Sequence, residues 1–324
     1  DPYEVPDDLK ECQRYIPYSR DMDVVSTVSE SPYAEDKFAK AKDEYKKIIN
    51  ETVAVLRRLY SPTCSRIVGN KESGMFDPRV AYKVGLARRG IPVDLDRVWR
   101  KIEVTRVPKV AISLLIDCSG SMYVGEPSSI NLARNSAACL SEVMRQLNIP
   151  HEIIGHTTNS TEYVSAIEHK SIPKPTAEEK EIFSRFVPFH GYVFKSFEDK
   201  PDRTASVFTS FPMQDNLDGE AVQWALGRLA NRPERTKICI VLADGMPSAV
   251  TSRHDELQRH LFTVCKHAEA RERDGLHLCA IGINFDYVKH FFRNHTVLKD
   301  IASLPDTVLQ MVEHILVNRV GSLG

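Results

Sequence analysis

Apolar positions along this chain follow two different rhythms, and where each rhythm holds predicts the elements. From residue 110 onward, short predominantly apolar runs alternate with stretches in which apolar residues recur every three to four positions. The runs over residues 110–116, 152–155, 237–243 and 276–283 predict strands buried on both faces. The stretches over 130–147, 219–229, 257–271 and 305–317 predict amphipathic helices. Strand and helix in repetition demand crossover connections, so the expected fold is α/β, with a mostly parallel central sheet flanked by helices. Ligands of such sheets bind beyond the carboxyl ends of the strands.

Upstream the pattern differs. Residues 1–32 are acidic and interrupted by Pro2, Pro6, Pro17 and Pro32, which predicts turns rather than long elements. Over 34–59, Phe38, Ala41, Tyr45, Ile48, Ile49, Val53, Val55 and Leu56 keep a period near 3.6, so one helix is expected between Ser31-Pro32 and Ser61-Pro62. Residues 64–106 are mixed and locally basic through Arg88, Arg89, Arg97, Arg100 and Lys101, a composition suited to an acidic neighbour. The expected division is an N-terminal helical extension at 1–107 and an α/β domain at 108–324, with an insertion at about 157–216. Structureless loops of that length are uncommon, so the insertion is either functional or folded. Its residues 176–187 have helical spacing. Phe183, Phe186, Phe189, Tyr192, Phe194 and Phe197, mixed with Lys195, Lys200 and Arg203, have the composition of a partner surface. The alternative is that these rings pack the insertion onto the N-terminal helix.

The chemistry concentrates at the strand ends. The run ending at Ile116 continues Asp117-Cys118-Ser119-Gly120-Ser121, placing one carboxylate and two hydroxyls on a tight loop. Asp218 opens a helix in Asn216-Leu217-Asp218-Gly219-Glu220-Ala221, and Asp244 follows the strand at 237–243 just before Gly245. A hard dication such as Mg²⁺ takes oxygen ligands and keeps several waters, which this donor set suits. Taken singly, Asp218 reads as a helix cap and Asp244 as a turn residue. Together, at the ligand ends of their elements, they predict one cation site.

Asp117-x-Ser119-x-Ser121 and the later Asp244-Gly245 resemble the metal-ion-dependent adhesion site (MIDAS) of the von Willebrand factor type A family, whose middle ligand is a Thr where this chain has Asp218. Asp218-Gly219-Glu220-Ala221 before an apolar helix is similar to the type A domain of the T subunit of aerobic cobaltochelatase. So are Tyr18-Ser19-Arg20-Asp21-Met22-Asp23, His156-Thr157-Thr158, Leu229-Ala230-Asn231-Arg232-Pro233-Glu234 and Ala280-Ile281-Gly282-Ile283. The resemblance implies a Rossmann-like type A fold with Mg²⁺, or Mn²⁺ or Ca²⁺, held by Asp117, Ser119, Ser121, Asp218 and Asp244. It also implies an AAA+ ATPase partner, an acidic residue of a partner protein at the metal, and a role in ATP-driven cobalt insertion during cobalamin biosynthesis. Two alternatives stay open: a stand-alone MIDAS protein-binding module, and AAA+-linked remodelling of a non-tetrapyrrole client, for example a phage-encoded one. Asp218 in place of Thr adds a third carboxylate, which is expected to raise cation affinity and soften the preference for an acidic ligand.

Other classes find little support. A net charge of −1 argues against a dedicated nucleic-acid surface. The 7 Cys are scattered, without disulfide or zinc spacing, and no run is long enough to span a bilayer. With no signal-like stretch at the start, a cytoplasmic protein is expected. His254, His260 and His267 do not form a zinc-binding i, i+4 pair, and His151, His156 and His190 read as surface or satisfied core residues. No nucleophile elbow is present. The nearest phosphate-loop candidate, Gly69-Asn70-Lys71-Glu72-Ser73-Gly74, lacks the Lys that should follow it, so a non-catalytic subunit without its own ATPase site is expected.

Overall fold

The computed structural model describes residues 15–59, 65–104, 110–126 and 128–311. These form two compact units: one contains the chain up to Arg57 together with everything from Lys109, and the other is Arg58–Pro108. The segment before Arg58 therefore belongs with the α/β unit, in contrast to the division expected at residue 107.

The larger unit opens with β1 (Val24–Thr27), followed by α1 (Pro32–Glu44) and α2 (Lys46–Leu59). Ser31 caps α1 by accepting from Ala34 N, and Pro32 fits the first helical turn because its missing N–H has no partner to lose there. The single helix expected over 34–59 is broken at Tyr45.

The smaller unit holds β2 (Ser65–Lys71), β3 (Met75–Phe76), α3 (Ala81–Arg88) and β4 (Trp99–Val104), with the three strands antiparallel in the order β2-β4-β3. Gly74 sits at φ 138°, and an added Cβ would lie 2.5 Å from the carbonyl oxygen of Arg100, so the turn into β3 requires glycine. The Gly69–Gly74 segment is thus a strand end and a turn, not a phosphate cradle before a helix.

The chain then builds the main sheet from β5 (Val110–Asp117), α4 (Ser129–Gln146), β6 (His151–Thr158), α5 (Ser160–Glu168), α6 (Ala177–Ile182), β7 (Phe189–Lys195), α7 (Asp218–Ala230), β8 (Thr236–Ala243), α8 (His254–Ala270), β9 (Leu276–Ile283) and β10 (Asn294–Leu298). A further helix covers 304–311; the rest of the helix expected at 305–317 lies outside the described residues. The seven strands run β1-β7-β6-β5-β8-β9-β10, and every neighbouring pair is parallel except β6 with β7. From β5 the chain moves outward to β6 on one side and later returns to β8 on the other. The crevice at the carboxyl end of β5 is therefore the topological switch point where α/β sheets bind ligands.

All eight residues of β5, β6 and β9 are buried; the near-continuous apolar runs of β5 and β9 predict this, whereas β6 buries Glu152, His156, Thr157 and Thr158 beside only two aliphatic residues. Leu115, Ile154, Val241 and Ala280 share one core cluster with Trp224 and Leu226 of α7 and Leu261 and Val264 of α8. Each large aliphatic side chain so buried contributes roughly 1.5–3 kcal/mol.

Three strands of the main sheet, β1, β7 and the edge strand β10, escape the sequence pattern. Within the turn-rich N-terminal stretch, β1 forms a sheet edge beside β7, which itself lies inside the expected insertion. The insertion is thus folded into the sheet. Phe186, Phe189, Tyr192 and Phe194 are buried rather than presented to a partner; Phe186 and Phe189 join the main core cluster, and Tyr18 packs on Phe183 and Phe186. The helix expected over 176–187 shortens to α6, started by a capping box in which Thr176 and Glu179 each accept from the other's backbone N–H. Cys118, Cys139, Cys239, Cys265 and Cys279 are buried free thiols, with Cys118 just beyond the end of β5. Among the described residues, no helix is long and apolar enough to cross a membrane.

Candidate metal centre

Asp117 is the last residue of β5 and fully buried. Its Oδ1 accepts from Ser119 N at 2.8 Å, which folds the following loop back over the strand end. Ser119 Oγ and Ser121 Oγ lie 2.9 Å apart, and Ser121 Oγ donates to Asp244 Oδ1 at 2.8 Å. Asp244 follows β8, the neighbour of β5, so the parallel pairing delivers both carboxylates to one rim.

Asp218 arrives from the other side, as the first residue of α7. It does not act as a helix cap: the cap position is Leu217, and no side chain bonds the first turn there. Instead Asp218 Oδ1 lies 3.3 Å from Nε2 of His156, and its Oδ2 accepts from Asn216 Nδ2 at 3.2 Å. The same Nδ2 is 3.5 Å from Asp117 Oδ2, and the orientation of the amide is set by Ser248 N, which donates to Asn216 Oδ1 at 2.7 Å. The 214–218 segment is pinned on both flanks: Gly120 N donates to Gln214 O, Gln214 N to Thr157 Oγ1 and Asp215 N to Thr158 Oγ1.

The structure thus brings Asp117, Ser119, Ser121, Asp218 and Asp244 to one locus. Two residues join them that the sequence did not single out. Asn216 bridges two of the carboxylates. His156, which by sequence reads as a surface or satisfied core residue, is fully buried, and neither of its ring nitrogens makes a hydrogen bond. Asp117, His156 and Asp218 each offer a ligand atom within 4.8 Å of the others. The sheet register pairs Asp117 with His156 directly across β5 and β6, a relation that local sequence does not display.

Crowding acid groups in a dry site has an electrostatic consequence. Burial, followed by the proximity of Asp218, pushes the Asp117 carboxyl up to about 7 although His156 pulls the other way. Burial likewise raises Asp244 above the usual carboxylate range against the hydroxyls of Ser121 and Ser129, with Asp218 adding to the rise. Burial disfavours a charged His156, yet Asp218 and Asp117 outweigh it and raise its pKa. Ionising Asp117 and Asp244 together in this site is therefore costly unless a positive charge joins them. A divalent cation supplies that charge and fits the hard oxygen donors and the orphaned Oδ1 of Asp218.

The first turn of α7 is anchored from behind. Fully buried Arg185 holds Glu220 Oε1 through Nε at 2.6 Å and Asp23 Oδ2 through Nη2 at 2.6 Å, and Asp23 Oδ1 also accepts from Phe189 N. Tyr15 donates its hydroxyl to Glu220 at 2.6 Å and stacks on His260 at 3.7 Å. Burial alone would raise Glu220, but Arg185 dominates and pulls it down to about 2. Between the two acids, Gly219 lies against His260, where a Cβ would come 2.4 Å from Nδ1. Asp218-Gly219-Glu220 therefore reads as one acid facing the site, a close approach to α8, and one acid facing the anchor.

Among solved structures, the PilB minor pilin of Streptococcus sanguinis is 10% identical, with 69% of this chain and 66% of that chain covered and a TM-score of 0.43. Proximal thread matrix protein 1 of the mussel byssus is 12% identical, with 64% and 46% covered and a TM-score of 0.41. The SpaC pilus adhesin of Lactobacillus rhamnosus GG is 11% identical, with 66% and 31% covered and a TM-score of 0.42. This chain thus spans less than half of the mussel protein and about a third of SpaC. The family profile described as the VWA domain of cobalamin biosynthesis protein CobT matches residues 98–318, from β4 through the last strand and beyond. With the mostly parallel sheet and the rim geometry above, that match over most of the chain identifies it as a member of the CobT von Willebrand type A domain family.

Proposed function

We propose that this protein is the metal-bearing, non-hydrolysing subunit of an ATP-driven chelatase-like complex, paired with an AAA+ ATPase and serving cobalt insertion in cobalamin biosynthesis. The observation that carries the reading is the meeting of three buried carboxylates, Asp117, Asp218 and Asp244, from three separate segments. Among the described residues, the one ion pair they make is that of Asp218 with His156. Uncompensated buried charge is costly, so a site of this kind is expected to take up a counter-ion. A bound dication would offset that charge and offer an open position to a carboxylate of the partner protein.

The chain's own groups prepare that contact. Ser119 and Ser121 present hydroxyl oxygens at the rim, Asp244 orients Ser121, and Asn216 holds Asp117 and Asp218 together. Exposed Tyr123 and Val124 follow the Ser121 turn, so the rim also offers apolar surface beside the site. ATP hydrolysis belongs to the partner in this reading, and cobalt is the cargo of the complex.

A pull-down with the AAA+ partner, with and without EDTA and with Asp117→Ala, tests the mechanism. Association is expected to be lost with the chelator and with the variant. Undiminished association in both would reject the metal-mediated grip while leaving the family assignment intact.

A further inference from the structure

We propose that His156 is itself a ligand of the ion, through Nε2, so that Asp117, His156 and Asp218 form a mixed nitrogen and oxygen site selecting a later first-row dication (Fe²⁺, Co²⁺ or Zn²⁺) over Mg²⁺ or Ca²⁺. The inference rests on the reading that a dication occupies this locus and adds which kind.

The geometry is specific. Nε2 of His156 and Oδ1 of Asp218 are 3.3 Å apart, an ion-pair separation without well-aligned hydrogen-bond geometry, and both atoms are buried without another partner. An imidazole with two bare nitrogens in a dry interior is costly, and natural interiors rarely tolerate it. Two donors about 2.1 Å from one ion stand about 3.0 Å apart at a right angle and about 3.4 Å apart at the tetrahedral angle. The observed 3.3 Å lies inside that interval, so the pair has the spacing to span one edge of a coordination polyhedron as well as that of a direct ion pair. The third donor is already in place, since Asp117 faces His156 across the β5–β6 register and shares the cluster. The ring is held rather than loose: it lies parallel to the Phe189 ring, with centroids 6.4 Å apart.

Ligand type then sets the preference. Carboxylate and hydroxyl oxygens alone suit Mg²⁺, Ca²⁺ or Mn²⁺, whereas imidazole favours the later first-row ions, which also bind more tightly along the Irving–Williams order. The oxygen set of the sequence motif and the nitrogen contributed by the sheet register therefore predict different metals, and the buried histidine decides between them.

Pulsed electron paramagnetic resonance on the full chain loaded with Mn²⁺ reads ligation directly, and calorimetry with Co²⁺ and Mg²⁺ reads selectivity. Expected for the native chain are a ¹⁴N coupling on bound Mn²⁺ and at least 100-fold tighter binding of Co²⁺ than Mg²⁺. In His156→Gln the coupling should vanish and the preference fall at least tenfold while Mg²⁺ still binds. His156→Phe, whose ring suits the pocket beside Phe189, serves as a second variant. Mn²⁺ bound to the native chain without nitrogen coupling would overturn this inference and leave an oxygen site standing. Failure of the native chain to take up any of the three ions would overturn the underlying reading as well.

Discussion

Asp117→Asn is expected to stabilise the metal-free protein while abolishing its uptake of a dication. Both effects follow from one fact: the Asp117 carboxyl is buried beside Asp218 and Asp244 and titrates at about 7 rather than at its ordinary 3.8. A folded-state value above the unfolded one means that the contribution of this group is fully present below about pH 4 and lost as the pH rises through about 7. The rise from 3.8 to about 7 corresponds to an upper value of about 4 kcal/mol at alkaline pH. Asparagine keeps an oxygen for Ser119 N but carries no charge, so it escapes the penalty. Urea unfolding in EDTA should show the Asp117→Asn variant gaining on the native chain as the pH rises from 5 to 8, with isothermal titration recording no cation uptake. Comparing the two proteins isolates this group from His151 and His260, whose depressed values, each about 4, give the opposite pH trend. A variant less stable than the native chain at both pH values would contradict the electrostatic account.

Arg185→Met should be among the most damaging single substitutions in the α/β unit. It leaves Asp23 buried without its cation and Glu220 with only the half-exposed Arg20, 3.4 Å away, and stranding a buried charge typically costs about 3–5 kcal/mol. The pH signature has the opposite sign to that of Asp117. Because Glu220 is held at about 2, its contribution is present above its ordinary 4.5 and is lost as the pH falls towards 2. The deficit of the methionine variant should therefore shrink in acid, where the stranded carboxylates protonate. Combining Asp23→Asn and Glu220→Gln with Arg185→Met should recover part of the loss, since a buried ion group is often replaceable as a set. Measured by urea unfolding, a cost below about 1 kcal/mol for the single variant would place this network in the range of surface ion pairs.

The contrast between the two clusters shows what sequence discloses. Residues 110–117, 236–243 and 276–283 are legible because strands buried on both faces leave continuous apolar runs. β1 and β7 are not. Val24-Val25-Ser26-Thr27 is a four-residue edge strand among prolines, and β7 carries His190 and Lys195, which suggest a surface. Lys195 is nevertheless buried, its Nζ donating to the carbonyls of His151 and Ser196. The break at Tyr45 is hidden because apolar spacing continues through it.

Within the site, Asp117, Ser119 and Ser121 announce themselves by local spacing, and Asp218 and Asp244 by their places at element ends. His156 and Arg185 cannot be found that way. Their partners are fixed by sheet register and by packing against α7, across 39 residues for the Asp117–His156 pair and 162 for the Arg185–Asp23 pair. By sequence, position 218 suits a ligand or a helix cap, and the structure turns its side chain toward His156 and away from the helix backbone.

The central claim is that oxygen donors from β5, α7 and β8 share one dication. An anomalous difference map from crystals of this chain soaked in Mn²⁺ tests it most directly. The expected result is a single dominant peak bounded by the carboxylates of Asp117 and Asp218 and the Ser119–Ser121 hydroxyls, with Asp244 beside it. Ordered density for these side chains without a peak between them, in crystals that tolerate the soak, would contradict the account.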